Sequence, residues 1–329
     1  MADKPSRALV IYGDGHAPLV ASPHAHLHSF ASRASCGFLS LRAPPDPNGN
    51  SQNDRVIREL SQLLDAYDIL FTCDTVKFYF YKSLGYKNNC LLLNFRFMDL
   101  RAAILTTCPD VGSFAANLGF SVLQISELIG QTPTGVEPPE VSDNLIRVFE
   151  LLKLLGFSGG DVLEKYEFDL VILHIKPCDQ LRDEKGSTVI KTDTDFLNKL
   201  VGGVMHAAQP GSKIACRLHF SIILGYGTVS DGDQNCSLIL NSSAETSSDV
   251  LLLRPHQSYT MKSGNILTDI RHHHPMLIAQ WQEGVTRQDT ANKFGFEEFK
   301  ERGGNFAILA DRFLHEVAFK LWKAPKYGA

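Results

Sequence analysis

The chain has 329 residues, 44% of them apolar, with 32 Lys+Arg against 36 Asp+Glu and a formal net charge of −4. This balance excludes a disordered chain, which would lack apolar residues for a core, and argues against nucleic acid as a partner. No apolar run reaches the roughly 20 residues needed to span a bilayer, so the expectation is a soluble, cytoplasmic protein without a membrane partner. Seven cysteines with no CxxC pair fit a reducing compartment better than a disulfide framework or a zinc knuckle.

In chain order, short apolar runs at 8–12, 69–71, 91–93, 170–173, 214–216, 250–253 and 276–279 read as strands covered on both faces. Helical periodicity lies between them, at Val56, Ile57, Leu60, Leu63 and Leu64, at Leu145, Ile146, Phe149, Leu152 and Leu155, and at Phe313, Leu314, Val317, Ala318 and Leu321. The pattern predicts an α/β sandwich around a mainly parallel sheet with helices on both faces. Turn-forming residues fill 43–53 and 131–143, and a Gly, Ser, Asp and Asn-rich stretch covers about 225–248.

The first strand empties into Gly13-Asp14-Gly15-His16, placing a carboxylate where open α/β sheets bind ligands. Asp14 is therefore a candidate metal ligand, against the plainer reading that Asp-Gly turns the chain. The histidines that follow, His16, His24, His26 and His28, read as a polar loop. Ser51 opens an amphipathic helix. It is either a cap or a nucleophile whose phosphoryl group the helix dipole would hold.

Strand 170–175 is followed by Asp179 and Asp183, two carboxylates four apart that suit a hard cation. A strand over Lys213–Leu224 carries His219, and Arg271-His272-His273-His274-Pro275 precedes the last strand. Gly156-Phe157-Ser158-Gly159-Gly160 has the text of a G-x-S-x-G elbow, which would make Ser158 a hydrolase nucleophile. The elbow needs a preceding strand, though, and 145–155 has helix periodicity with Gly156 placed as a C-cap.

Taken in order, an Asp-Gly after the first strand, a serine opening a helix, an Asp after a mid-chain strand and histidines before a Pro-apolar strand resemble the alkaline-phosphatase superfamily. The text is most similar to archaeal-type cofactor-independent phosphoglycerate mutases, through Cys36-Gly37-Phe38-Leu39, Pro177-Cys178-Asp179, His274-Pro275-Met276-Leu277-Ile278, Gly303-Gly304-Asn305-Phe306 and the terminal Lys326-Tyr327-Gly328-Ala329. The resemblance implies an alkaline-phosphatase-like core over 1–74 and 165–329, with a reduced inserted, cap-like segment at 75–164. It also implies a transiently phosphorylated Ser51 served by two divalent ions, manganese, zinc or magnesium. Residue by residue, Asp14, Asp179 and His272 match metal positions. The histidine of an Asp-x-x-x-His element is Asp183 here, and a later Asp-His pair is Leu218-His219.

Leucine cannot ligate a cation, so one metal carboxylate is lost. Two expectations follow: a mutase-like relative with impaired or lost two-metal transfer and a binding or regulatory role, or a centre on Asp14, Asp179, Asp183 and His219 that still acts as a phosphomutase or phosphatase. The first expects no metal or a single divalent ion. Either leaves room for a phosphorylated small molecule as ligand.

Overall fold

The computed structural model describes residues 5–41, 52–67, 93, 96–124, 140–176, 190–227, 261–262, 265–266, 275–285, 287–304 and 307–325. Its elements are β1 (Arg7–Gly13), α1 (Ala25–Arg33), β2 (Ser35–Ser40), α2 (Gln52–Leu63), β3 (Ala102–Leu105), α3 (Pro109–Asn117), β4 (Ser121–Leu123) and α4 (Glu140–Leu154). These are followed by β5 (Phe157–Ser158), β6 (Asp161–Val162), β7 (Leu170–Ile175), α5 (Ile190–Ala207), α6 (Lys213–Arg217) and β8 (Leu218–Leu224). The chain continues through β9 (Met261–Lys262), β10 (Asn265–Ile266), β11 (Met276–Gln282), α7 (Phe296–Arg302), β12 (Ala307–Leu309) and α8 (Phe313–Lys320). Among the described residues no helix is long and apolar enough to cross a membrane.

Eight strands form one sheet in the order β12-β2-β11-β8-β1-β7-β3-β4. β1 is parallel to both β7 and β8, and β3 is parallel to β7 and β4. Among the described strands of this sheet β11 alone runs against its neighbours, β2 and β8. Because successive strand residues point to opposite faces, β1 feeds two cores. Leu9 and Ile11 join Phe30 of α1, Leu151 and Leu152 of α4, Leu200 and Val204 of α5 and Phe299 of α7. Ala8, Val10 and Tyr12 join Val56 and Leu60 of α2, Val111 and Phe114 of α3, and Leu314 and Val317 of α8. The expected mainly parallel sheet with helices on both faces is present.

Several expectations are corrected. The run Ile214-Ala215-Cys216 is the helix α6, not a strand, because Ser212 caps it by accepting from the Ala215 N–H at 3.1 Å. The strand therefore starts at Leu218 rather than Lys213. Leu93 is helical, and His26 and His28 lie in α1 rather than in an extended loop. β3 and β4 pair into the main sheet, and α4 packs on the same core as α5. β3 and the buried side chains Val111 and Phe114 of α3 and Val148, Leu151 and Leu152 of α4 are thus part of the two cores. The runs at 69–71 and 250–253 lie outside the described residues.

Candidate functional site

The parallel strands β1, β7, β8 and β3 all end at one edge of the sheet, where Gly13 stands level with Ile175 and with Leu224. The strands approach closely here: a Cβ on Gly13 would lie 2.8 Å from Leu224 Cδ2. The Asp14 N–H donates to the Ile175 carbonyl at 2.9 Å, and Gly15, at φ 71°, turns the chain away. Asp14 is held at the edge of the central strand, as the sequence reading requires, and is fully buried.

Its partner is a residue that the sequence reading passed over. The Arg55 Nη2–H donates to Asp14 Oδ1 at 2.6 Å, and Nη1–H donates to Glu59 Oε2 at 2.9 Å. The Tyr12 hydroxyl donates to the same Glu59 oxygen at 2.8 Å. Arg55 reaches Asp14 because it lies in the first turns of α2, which packs against the β1 face that carries Tyr12. Glu59 follows four residues on, so both face the sheet. Burial pushes the Asp14 carboxyl above its ordinary value, and Arg55 pulls it back only in part. Burial disfavours the Arg55 charge too, but Glu59 and Asp14 outweigh it and hold the guanidinium above its ordinary value. Among the described residues Asp14 Oδ2 has no hydrogen-bond partner.

Two histidines flank this pair. The His174 Nδ1 meets Thr106 Oγ1 at 2.8 Å, and its ring stacks on Tyr12 at 5.6 Å between centroids. The His16 Nδ1 meets Thr194 Oγ1 at 3.1 Å, on the opposite face of the sheet. Burial lowers each ring to about 4, so both are neutral at pH 7. Each leaves its Nε2 buried and unpartnered among the described residues.

The other expected site residues are distributed as follows. Ser51, Asp179, Asp183 and His272 lie outside the described residues. His219 does not join Asp14. As the second residue of β8 it stands opposite Ala8, while Gly13 stands opposite Leu224, so about 20 Å of strand separates it from Asp14. Its assignment as a ligand on the Asp14 centre is corrected for that reason. Ser158 is exposed in a two-strand hairpin, β5 with β6. It follows the end of α4, where Gly156 at φ 74° donates its N–H to the Lys153 carbonyl at 2.8 Å. Ser158 ends a two-residue strand that turns back into β6, with a helix before it and no helix after it, so there is no strand-to-helix nucleophile elbow and the hydrolase reading fails on geometry.

The described residues do not fit a two-metal centre on Asp14. One carboxylate oxygen is committed to a guanidinium, whose charge stands next to the place a cation would occupy. Among the described residues no three His, Cys, Asp or Glu side chains are grouped to hold a metal ion.

No family model matches the sequence, and no curated protein matches it. Among solved structures, the chain is similar to the PH0037 protein from Pyrococcus horikoshii, at 14% identity and TM-score 0.51 with all of both chains covered. It is also similar to a cofactor-independent phosphoglycerate mutase from Thermoplasma acidophilum, at 9% identity and TM-score 0.33 over 68% of this chain and 36% of that one. A third similar structure is a protein in the alkaline phosphatase superfamily from Vibrio parahaemolyticus, at 10% identity and TM-score 0.42 over 87% of this chain and 62% of that one. The likeness to the Pyrococcus protein shows a shared fold.

Proposed function

We propose that the chain is a phosphoglycerate-mutase-like relative in the alkaline-phosphatase superfamily whose Asp14 edge binds a phosphorylated small molecule without two-metal phosphoryl transfer. The motif order and the mainly parallel eight-stranded sheet support the kinship. One observation carries the loss of two-metal chemistry: the Arg55 guanidinium sits 2.6 Å from the carboxylate expected to hold a metal. A resident side-chain cation balances Asp14 there, and an incoming divalent ion would meet like charge. Lys176, at the neighbouring strand end and within electrostatic reach of Asp14, adds positive charge toward which a phosphate would be drawn.

The test combines metal analysis with turnover. Purified protein dialysed against manganese should retain no tightly held pair of ions, should not turn over phosphoglycerate, and should yield no phosphoserine at Ser51. Two divalent ions per chain, lost together in Asp14→Ala, would establish the active metal-dependent phosphomutase or phosphatase instead.

A further inference from the structure

The histidine-rich run at the start of α1 takes no part in the Asp14 centre, yet two of its rings hold one residue between them. The Ala21 N–H donates to His24 Nδ1 at 2.9 Å, and His28 Nε2 meets the Ala21 carbonyl at 3.0 Å. His28 Nδ1 in turn accepts the Phe294 N–H at 3.1 Å. A backbone N–H can only donate, so each Nδ1 presents its lone pair and each ring is neutral with its proton on Nε2. The far sides of both rings agree with that tautomer. His24 Nε2 lies 3.2 Å from Asp195 Oδ1, and His28 Nε2 has the Ala21 carbonyl to donate to.

Ala21 lies in a strap, residues 17–23, that leaves the Asp14 edge directly after His16. The two ends of the strap are fixed by other means. The Ala17 N–H donates to the Gly225 carbonyl at 3.0 Å. At the far end Asn198 of α5 caps α1, its Oδ1 accepting from the His26 and Leu27 N–H groups at 3.0 and 3.1 Å. Between these anchors Pro18, Ala21, Ser22 and Pro23 are exposed and Val20 is partly buried against the core. Little apolar packing therefore holds the strap once the imidazole contacts go.

Protonation changes one side of each ring. A hydrogen on Nδ1 faces the Ala21 or Phe294 N–H, donor against donor, while both Nε2–H contacts survive and the new charge strengthens the one to Asp195. Toward His24 stand Asp195 of α5 and, where the strap begins, His16, itself within reach of Asp193. Toward His28, Lys293 precedes Phe294, and Glu298 of α7 accepts from the Asn292 N–H at 2.8 Å. On α1 itself His26 is exposed, and the β11 side chains on the α1 side of the sheet, Leu277, Ala279 and Trp281, are uncharged. We propose that His24 and His28 form a pH latch: neutral, they close the 17–23 strap onto α1 beside the Asp14 edge and hold the turn at Phe294; protonated, they release both. Imidazoles ordinarily gain charge between about pH 8 and 5, so the latch opens on mild acidification, whatever the Asp14 edge binds.

Amide hydrogen exchange followed by NMR on the full chain tests the latch, with ring nitrogen shifts recorded in the same titration. From about pH 7.5 to about pH 5.5, protection of the Ala21 and Phe294 amides should fall at least about tenfold as the two rings titrate, while Val10 and Ile172, paired in the sheet, keep theirs. Asparagine puts a carbonyl that does not protonate near the position of Nδ1. Ala21 in His24→Asn and Phe294 in His28→Asn should therefore stay protected across that range, and protection absent at every pH would still tie each amide to the ring it lost. Constant protection in the parent while the rings titrate overturns the proposal, as does a pair of rings that stay neutral down to about pH 5. It is equally overturned if both variants, folded by circular dichroism, lose protection on acidification as the parent does.

Discussion

Arg55→Met is the most informative single substitution, because it removes a cation shared by two carboxylates while keeping an unbranched side chain of similar reach. The Asp14 side chain is fully buried, that of Glu59 is 6% exposed, and that of Arg55 is 13% exposed, so solvent screens little of the loss. Breaking a buried pair by removing one partner costs about 3–5 kcal/mol. At about 2.1 cal/mol/K per residue, 329 residues give an unfolding entropy of about 0.7 kcal/mol/K, so Tm should fall by about 4–7 °C. The sign of the pH dependence follows from the raised Asp14 carboxyl, which rises further without Arg55. The native state then keeps a proton that the unfolded chain releases. The added cost is absent below the unfolded value of about 3.9 and grows as pH rises toward the native value. Scanning calorimetry should therefore show a deficit at pH 7 that shrinks toward about pH 4, and Asp14→Asn added to Arg55→Met should recover part of it. A Tm within about 1 °C of the parent at pH 7, or a deficit that deepens on acidification, would refute the reasoning.

Other outcomes follow from the same geometry. His16 and His174 should titrate near about 4 in ring-resolved NMR, and their burial as neutral rings should cost stability as pH falls from about 6.5 through that value; a ring protonating above about 6 contradicts this. Gly13→Ala puts a methyl 2.8 Å from Leu224 Cδ2 and 3.2 Å from His16 Cβ, so a loss of about 1–3 kcal/mol is expected, and an unchanged melting curve would show that the strand ends have more room. Phe30→Ala deletes a fully buried ring set edge-on to Phe220 at 5.0 Å, with an expected cost of about 3–5 kcal/mol in calorimetry; a cost below about 1 kcal/mol would place Phe30 outside the tightly packed core. Ser158 should resist an organophosphate probe, and covalent labelling there would restore the hydrolase reading.

What the residues announced and what they concealed have physical reasons. β1, β7 and β11 were legible because strands buried on both faces read as unbroken apolar runs, although nothing in Met276-Leu277-Ile278-Ala279 signals that β11 runs antiparallel. β2 was noticed only as family text, because Ser35-Cys36-Gly37 is small and polar and its burial comes from β11 and β12 on either side. His219 was misplaced by an element boundary. With a strand begun at Lys213 it sits mid-strand, and with α6 occupying Lys213–Arg217 it falls at the far end of the sheet. Arg55 was hidden by its own residue type, since an arginine on an amphipathic helix reads as solvated. The available signal was its spacing to Glu59 on the buried side of α2, next to Val56 and Leu60.

Anomalous diffraction from crystals soaked in manganese tests the central claim most directly, because it locates any ion relative to the Asp14 carboxylate. The account expects no manganese peak within coordination distance of Asp14, with the Arg55 guanidinium still donating to Oδ1. A manganese ion about 2.0–2.6 Å from that carboxylate, with Arg55 turned away, would contradict it.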